Sequence, residues 1–276
     1  MLNSLALQTS VDAKVAGLNA HSVPEWASTH PDPASRVQRA LQKANETGST
    51  NTIRNKDAFL TALNGVMYDD DPKQGIVSGN QFIHPDLRIA FTAPNGYAMV
   101  NGTAAVTISG SGGQAQFSGA AYSGDLNDYV TRVLRALAKN ESYTPQNIQR
   151  GTVGGMTTAY TTVQANGQSG PVDVTVIAYE LDAKQAFHFV MIAPQGQNFG
   201  PFNNMAQSFR RINAQEAAAV KPRRVAVVTV KAGDTIASLS GRMAYGNYQT
   251  ERFLTLNALN ASSKLTPGQK VKIVTY

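Results

Sequence analysis

What most restricts the fold of this 276-residue chain is a change of hydrophobic period at Asp69-Asp70-Asp71-Pro72. Before it, apolar residues recur at helical spacing. Leu2, Leu5, Val11, Val15 and Leu18 predict a helix within residues 1–20, and Val37, Ala40 and Leu41 an inward face of a second from about Pro33 to Ala44, with Asp32 as N-cap. Phe59, Leu60, Leu63 and Met67 predict a third over Lys56–Tyr68. After Pro72 the period falls to two: Gly75–Val77, Gln81–Ile83, Leu87–Phe91, Tyr97–Val100, Ala104–Ile108 and Gln114–Ala121 are short runs parted by turn formers such as Asn101-Gly102 and Gly110-Ser111-Gly112-Gly113. Longer strands are expected at Met156–Gln164, Val172–Leu181 and Ala186–Ala193. Between the two groups, Asp125 caps a helix over Leu126–Lys139, where Leu126, Tyr129, Val130, Val133, Leu134 and Leu137 make one apolar stripe. A helix near Phe202–Phe209 closes the region.

The fold class is therefore α+β: N-terminal helices over residues 1–72, then a domain over 73–212 with helices on one face of an antiparallel sheet. The outline of that domain is similar to the PsbP-like sandwiches. Asn213–Arg224, with Ala217-Ala218-Ala219, Pro222 and three basic residues, has the composition of a linker. Residues 225–276 remain as a small module.

Composition excludes several chemistries. With no cysteine, disulfides and thiol catalysis are ruled out. No window approaches 18 consecutive apolar residues, so no membrane span is expected, and the first residues carry no leader pattern. The net charge of +6 is unevenly placed: residues 221–276 hold nine Lys/Arg against Asp234 and Glu251, a surplus of seven, while residues 1–220 hold fifteen positive and sixteen negative charges. An anionic surface or polymer is the partner such a surplus implies. The aromatic interleaving of nucleic-acid platforms is missing from the basic segment, which argues against nucleic acid.

Few residues carry chemistry. There is no Gly-x-Ser-x-Gly elbow, phosphate loop or dinucleotide fingerprint. None of His21, His30, His84 and His188 stands three or four residues from another, so no His-Glu-x-x-His zinc site can form within the chain. His-Pro-Asp occurs at residues 30–32 and 84–86, each time read as a proline-fixed turn whose aspartate caps the next element. The run Asp69–Asp71 is either a hard-cation site or a solvated turn, and His188, between Phe187 and Phe189, is expected half exposed on the opposite strand face.

In the terminal module, Val225–Val230 reads as a strand, Ala232–Thr235 as a turn into a helix with Ile236, Leu239 and Met243 inward, Thr250–Leu256 as a second helix, and Lys270–Val274 as a closing strand. Gly233 permits the turn, Asp234 or Thr235 caps the helix, and Asn257 can bond the loop after the second helix. This β-α-α-β order, with Val230, Gly233-Asp234-Thr235-Ile236, Leu256-Asn257, Leu265, Pro267-Gly268-Gln269 and Val271-Lys272-Ile273 at these spacings, resembles the LysM domain. The resemblance implies a shallow groove for N-acetylated sugars lined by Gly233, Asp234, Thr235, Ile236, Asn257, Leu265 and Pro267, with peptidoglycan or another cell-envelope glycan as partner. A contact with an envelope protein is the alternative. The middle segment Ala244–Gln249 is longer than in a typical member and is expected to reshape the groove or to add stacking aromatics.

A second resemblance lies near the start. Trp26-Ala27-Ser28-Thr29-His30-Pro31-Asp32-Pro33-Ala34-Ser35-Arg36-Val37 is similar to the segment that ends the catalytic domain of periplasmic zinc metallopeptidases related to the heat-shock protease HtpX and the CAAX prenyl proteases. The blocks Phe59–Gly79 and His84–Gly102 resemble the region downstream of it. In that family His-Glu-x-x-His and a glutamate ligand lie upstream, and the residues before Trp26 contain neither. The resemblance implies a non-catalytic C-terminal part of a cell-envelope metallopeptidase, in the periplasm or cell envelope, with residues 1–72 as the tail of the peptidase domain. No catalytic residue and no cofactor belongs to this chain, zinc belonging to the intact parent, and His30 is left as a candidate to approach that metal. On this reading the full reading frame holds His-Glu-x-x-His upstream of Met1, and any leader lies outside this chain. The alternative is a stand-alone envelope glycan- or protein-binding protein without enzymatic activity.

Overall fold

The computed structural model describes residues 2–15, 33–47, 55–167 and 170–276. They divide into two compact units, one made of residues up to Asp69 together with Pro222–Tyr276, the other of Asp70–Lys221. The expected corner at Trp26, with His21, His30 and the Asp32 cap, lies outside the described residues.

Helix α1 (Leu2–Val15) packs on α2 (Pro33–Thr47), with Val11 buried. The face expected to turn inward on α2 does not: Ala40 and Leu41 are both exposed, Leu41 at 60%. Helix α3 (Lys56–Leu63) is shorter than expected. Asn64 leaves helical geometry, Gly65 turns the chain at φ +85°, and Met67–Tyr68 become a strand, β1. Of the four apolar residues expected on one face of this helix, only Leu60 is buried.

In the larger unit the period-two region forms two antiparallel sheets where one was expected. Strands β2 (Ile76–Ser78), β3 (Gln81–His84) and β4 (Ile89–Thr92) belong to a four-stranded sheet. Then β5 (Ala98–Asn101), β6 (Val106–Gly110), β7 (Gly113–Ala121), β8 (Gln149–Val153), β9 (Met156–Gly167), β10 (Gly170–Asp182) and β11 (Gln185–Pro194) form a seven-stranded sheet in the order β5-β6-β7-β11-β10-β9-β8. Helix α4 (Leu126–Ala138) starts at Asp125, whose carboxylate accepts from Asn127 N–H and Asp128 N–H as its sequence predicts. Helix α5 (Asn203–Ser208) follows the large sheet, and strand β12 (Arg210–Arg211) pairs with β4 to complete the small one.

The alternation of β10 and β11 explains why two layers are needed. Ile177, Tyr179, Phe189 and Met191 share one core with Phe82, Ile89 and Phe91 of the small sheet and with Met205 and Phe209. Phe91 and Phe189 meet edge to face at 4.9 Å, and the buried Tyr179 hydroxyl donates to Ala206 O at 2.8 Å. The intervening residues Val176, Ala178, Ala186 and Val190 meet Leu126, Val130 and Leu134 of α4 on the other face. Each strand is thus apolar on both sides.

Beyond the expected elements, the structure adds strands β8 and β12, a hairpin turn and a short helix. Gly154 and Gly155, at φ +55° and +78°, form the two-residue turn of the β8–β9 hairpin, a turn that requires positive φ at both positions. Within the expected linker, Asn213 and Glu216 close a capping box at 2.8 and 3.0 Å and start α6 (Ala214–Ala219), whose Ala217 is buried with Ala90 and Ile212. The aspartate run is fastened residue by residue. Asp70 accepts from Val77 N–H at 2.8 Å and from Asn101 at 3.3 Å, Asp71 caps the 3-10 turn Pro72–Gln74, and Asp69 belongs to the other unit. At the second His-Pro-Asp it is His84 Nδ1, not Asp86, that closes the turn, accepting from Leu87 N–H at 3.3 Å.

The terminal module consists of β13 (Arg223–Thr229), α7 (Ile236–Ser240), α8 (Gln249–Asn257) and β14 (Lys270–Thr275). β13 and β14 pair antiparallel from Arg224↔Thr275 to Thr229↔Lys270, over a core of Leu239, Met243, Phe253, Val271 and Ile273. The other edge of β13 is covered by residues 64–68, which the hydrophobic period groups with the N-terminal helices. β1 pairs with Arg223 and Arg224, Gly65 N–H donates to Val225 O at 2.7 Å, Val225 N–H to Val66 O at 2.8 Å, and Val227 N–H to Asn64 Oδ1 at 2.9 Å. An otherwise open strand edge is closed.

His188, expected half exposed, is only 6% exposed beneath α4. Its Nδ1 lies 2.9 Å from Tyr129 Oη and its Nε2 3.2 Å from Ser118 Oγ. The Tyr129 hydroxyl donates to Ala186 O and accepts from Ala120 N–H, so it has a lone pair left but no proton. The neutral ring protonated on Nδ1, with Nε2 accepting from Ser118, satisfies every atom. Burial lowers the His188 pKa from 6.5 to about 4. Between those values the unfolded chain takes a proton that the folded one refuses. This contribution is therefore complete above about pH 6.5 and is lost as the pH falls toward 4, on the order of 3 kcal/mol in all. In urea denaturation across this window, wild-type stability should fall more steeply with acidification than that of His188→Gln.

Candidate functional site

The two loops expected to frame a groove in the terminal module meet at one end of its sheet. Thr229 and Lys270 are paired, so the loop leaving β13 starts beside the point where the loop entering β14 ends. Val230 N–H donates to Gln269 O at 2.8 Å, and Gly268 N–H to Val230 O at 2.9 Å, locking the two loop bases together.

In the first loop, Gly233 sits at φ +87°, where a side chain would be strained. Lys231 N–H donates to Asp234 Oδ2 at 2.7 Å, closing the turn. Thr235 caps α7 in a reciprocal box with Ser238, at 3.0 and 2.9 Å. Of the two expected caps the threonine serves, and the aspartate shapes the turn. Ile236 comes next, half-buried against the module core.

In the second loop, Gly268 is at φ +86° and Gln269 folds back so that its Oε1 accepts from Thr266 N–H at 3.1 Å. Leu265 is half-buried against the same core as Ile236, and Pro267 is exposed at the tip. Asn257, expected to bond the loop after α8, directs its hydrogen bonds instead to Phe253 and Lys272. Its Oδ1 accepts from Lys272 N–H at 2.7 Å, and its Nδ2 donates to Lys272 O at 2.8 Å and to Phe253 O at 2.9 Å. It pins the end of α8 to β14.

The longer segment Ala244–Gln249 brings no aromatic to these loops. Ala244 N–H donates to Val274 O, near the far end of β14 from Lys270. Tyr245 lies under the guanidinium groups of Arg223 and Arg252, 4.6 and 4.2 Å from its ring centre, and donates to Asp69 Oδ2 at 2.6 Å. Arg223 pairs with the same carboxylate at 3.3 Å. Burial, and then the Asp69 carboxylate, push the Tyr245 pKa far up. The extra residues thus form a clamp between β1 and the module, and sequence alone cannot reveal it because Asp69 lies so far along the chain.

Ile236 and Leu265 are thus two half-buried aliphatic side chains packed on one core and borne on the two loops with fixed turns. Among the described residues no three His, Asp or Glu side chains group as a metal site, and no helix is long and apolar enough to cross a membrane.

Comparison with known proteins agrees for this part of the chain. Residues 228–274 match the LysM domain family, and the chain carries a LysM domain there. No curated protein matches the chain, and the comparisons give no support to the metallopeptidase relationship. Two solved structures are similar at low level. A crystal structure from Bacteroides thetaiotaomicron is 13% identical with a TM-score of 0.38, over 72% of this chain and 87% of its own. The solution structure of PsbP (CyanoP) from Synechocystis sp. PCC 6803 is 8% identical with a TM-score of 0.35, over 49% of this chain and 95% of its own. Likenesses so distant carry no inference about function.

Asn257→Ala leaves Lys272 N–H and C=O half-buried without partners. It should cost about 2–3 kcal/mol of module stability in urea denaturation.

Proposed function

We propose that the chain is a cell-envelope protein held to peptidoglycan, or to a related N-acetylated glycan, by the groove between its two LysM loops. The observation that carries this reading is the LysM match over residues 228–274 together with the converging loop bases at Val230 and Gln269. Ile236 and Leu265 offer aliphatic contact to an acetamido methyl, while the turns offer backbone amides to its carbonyl and hydroxyls. Binding, not catalysis, is the role of this site, and the activity of the whole is that of a tether. The larger unit then positions a substrate or partner protein. That holds whether the chain is the non-catalytic part of a zinc metallopeptidase, as the segment Trp26–Val37 suggests, or a stand-alone envelope binding protein.

The competing contact is electrostatic, since residues 221–276 carry seven surplus positive charges. The two separate in a sedimentation assay of the full chain with purified peptidoglycan. Groove recognition predicts binding that survives moderate salt and weakens about tenfold in Ile236→Ala and in Leu265→Ala, the effect of losing one partly buried aliphatic contact. An electrostatic contact predicts loss of binding as salt screens the charges, with both variants binding like wild type.

A further inference from the structure

A cavity of about 410 Å³ opens in the larger unit where β8 begins beside β9. It lies within Asp70–Lys221, whereas the LysM groove belongs to the other unit. Three stretches far apart in the sequence line it: Gln146, Asn147 and Gln149 at the entry to β8, residues 160–162 of β9, and Asn198 with Phe199 in the loop after β11.

The three are fastened in ways that leave their amides available. Thr161 Oγ1 donates to the backbone oxygen of Gln146 at 3.1 Å, and the backbone N–H of Asn198 donates at 2.7 Å to Asp173 Oδ2, a carboxylate on β10 that is only 2% exposed. Tyr160 Oη donates to Gln149 Oε1 at 2.5 Å, which leaves the Gln149 amide hydrogens to bond elsewhere. Asn147 and Asn198 both hold left-handed backbone, at φ +57° and +53°, a conformation that asparagine adopts more readily than most residues. Among the described residues the side-chain amides of Gln146, Asn147 and Asn198 have no hydrogen-bond partner.

The lining holds no Lys, Arg, His, Asp or Glu. An ion entering it would give up water with no counter-charge in return. What the cavity offers is carboxamides, each able to donate and to accept, and the rings of Tyr160 and Phe199, which meet edge to face at 5.4 Å. A sugar ring presents the complement: hydroxyls that also donate and accept, and C–H faces that pack on aromatic rings. A peptide would call instead for a row of backbone partners along one strand edge, whereas these groups converge from three stretches on one compact space.

We infer that this cavity binds a neutral mono- or disaccharide, its hydroxyls on the amides of Asn147, Gln149 and Asn198 and its C–H face on Tyr160 and Phe199. The volume lies in the range that small-molecule sites occupy. Nothing in this recognition depends on the LysM groove.

The test uses the full chain and the disaccharides maltose, cellobiose and lactose, which carry no acetamido group, with a capped tetra-alanine peptide as a neutral control. Titrations are followed by proton–nitrogen NMR at neutral pH. At least one disaccharide should shift the side-chain amide resonances of Gln149 and Asn198 and the backbone amide of Phe199, saturably at millimolar concentration, and the peptide should not. Asn147→Gly and Asn198→Gly remove an amide while keeping a residue suited to positive φ. The double variant should bind about tenfold more weakly, the weight of one or two neutral hydrogen bonds, and circular dichroism checks that it keeps the fold. No saturable shift with any of the sugars, shifts confined to residues 231–236 and 264–269, an equal response to the peptide, or a folded double variant that binds like wild type would overturn the proposal.

Discussion

A sheet that is apolar on both faces cannot be left with one face in water, and the larger unit is organised by that requirement. Strands β10 and β11 send Ile177, Tyr179, Phe189 and Met191 one way and Val176, Ala178, Ala186 and Val190 the other, so two covering layers are obligatory. The amphipathic α4 supplies one. A helix as long as α4 would not suffice for the second face, which carries the larger aromatic side chains, and a separate four-stranded sheet with α5 takes that side. The small sheet in turn has an outer face, and the short α6 covers part of it through Ala217 against Ala90.

Covering also governs the LysM unit, though there it concerns an edge. A two-stranded sheet leaves both outer edges with unpaired amides, and on β13 the chain from Asn64 to Tyr68 removes the problem. Asp69 then fixes the end of that segment by joining Arg223 and Tyr245. The extra length of Ala244–Gln249 is what presents Tyr245 for this contact. The longer middle segment thus has a contact of its own with the strand that covers β13.

These elements differ in how far the sequence discloses them. Helix α4 was legible because its cap, its stripe and its length are all local. So was the β-α-α-β order of the module, because Gly233, Thr235 and Gly268 mark their turns by residue type. Gly154-Gly155 and Asn213-x-x-Glu216 are equally local signals, the first masked by a strongly polar β8 and the second by an alanine run of linker composition. By contrast the division of the alternating strands into two sheets, the pairing of β1 with β13 and the bonds of Asn257 to Lys272 depend on long-range register, which alternation alone does not encode. The burial of His188 belongs with them, since the residue lies on the face its alternation predicts and only the position of α4 decides whether that face is wet.

The same long-range contacts bear on what the LysM unit recognises. Read along the sequence, residues 221–276 look like a cationic patch awaiting an anionic polymer. In the folded unit, Arg223 faces Asp69 at 3.3 Å and Lys270 faces Asp57 at 3.2 Å, so carboxylates from residues 55–69 answer two of those nine cations. Arg252 and Arg223 stack on Tyr245, where their charge serves packing. Burial and the nearby Lys56 lower the pKa of Lys272, consistent with a side chain turned toward protein. Surface pairs of this kind add little stability, but they do cancel field at a distance. Lys231 and Lys264, one on each of the two loops that carry Ile236 and Leu265, remain exposed, so the surplus positive charge is reduced by these contacts and not removed.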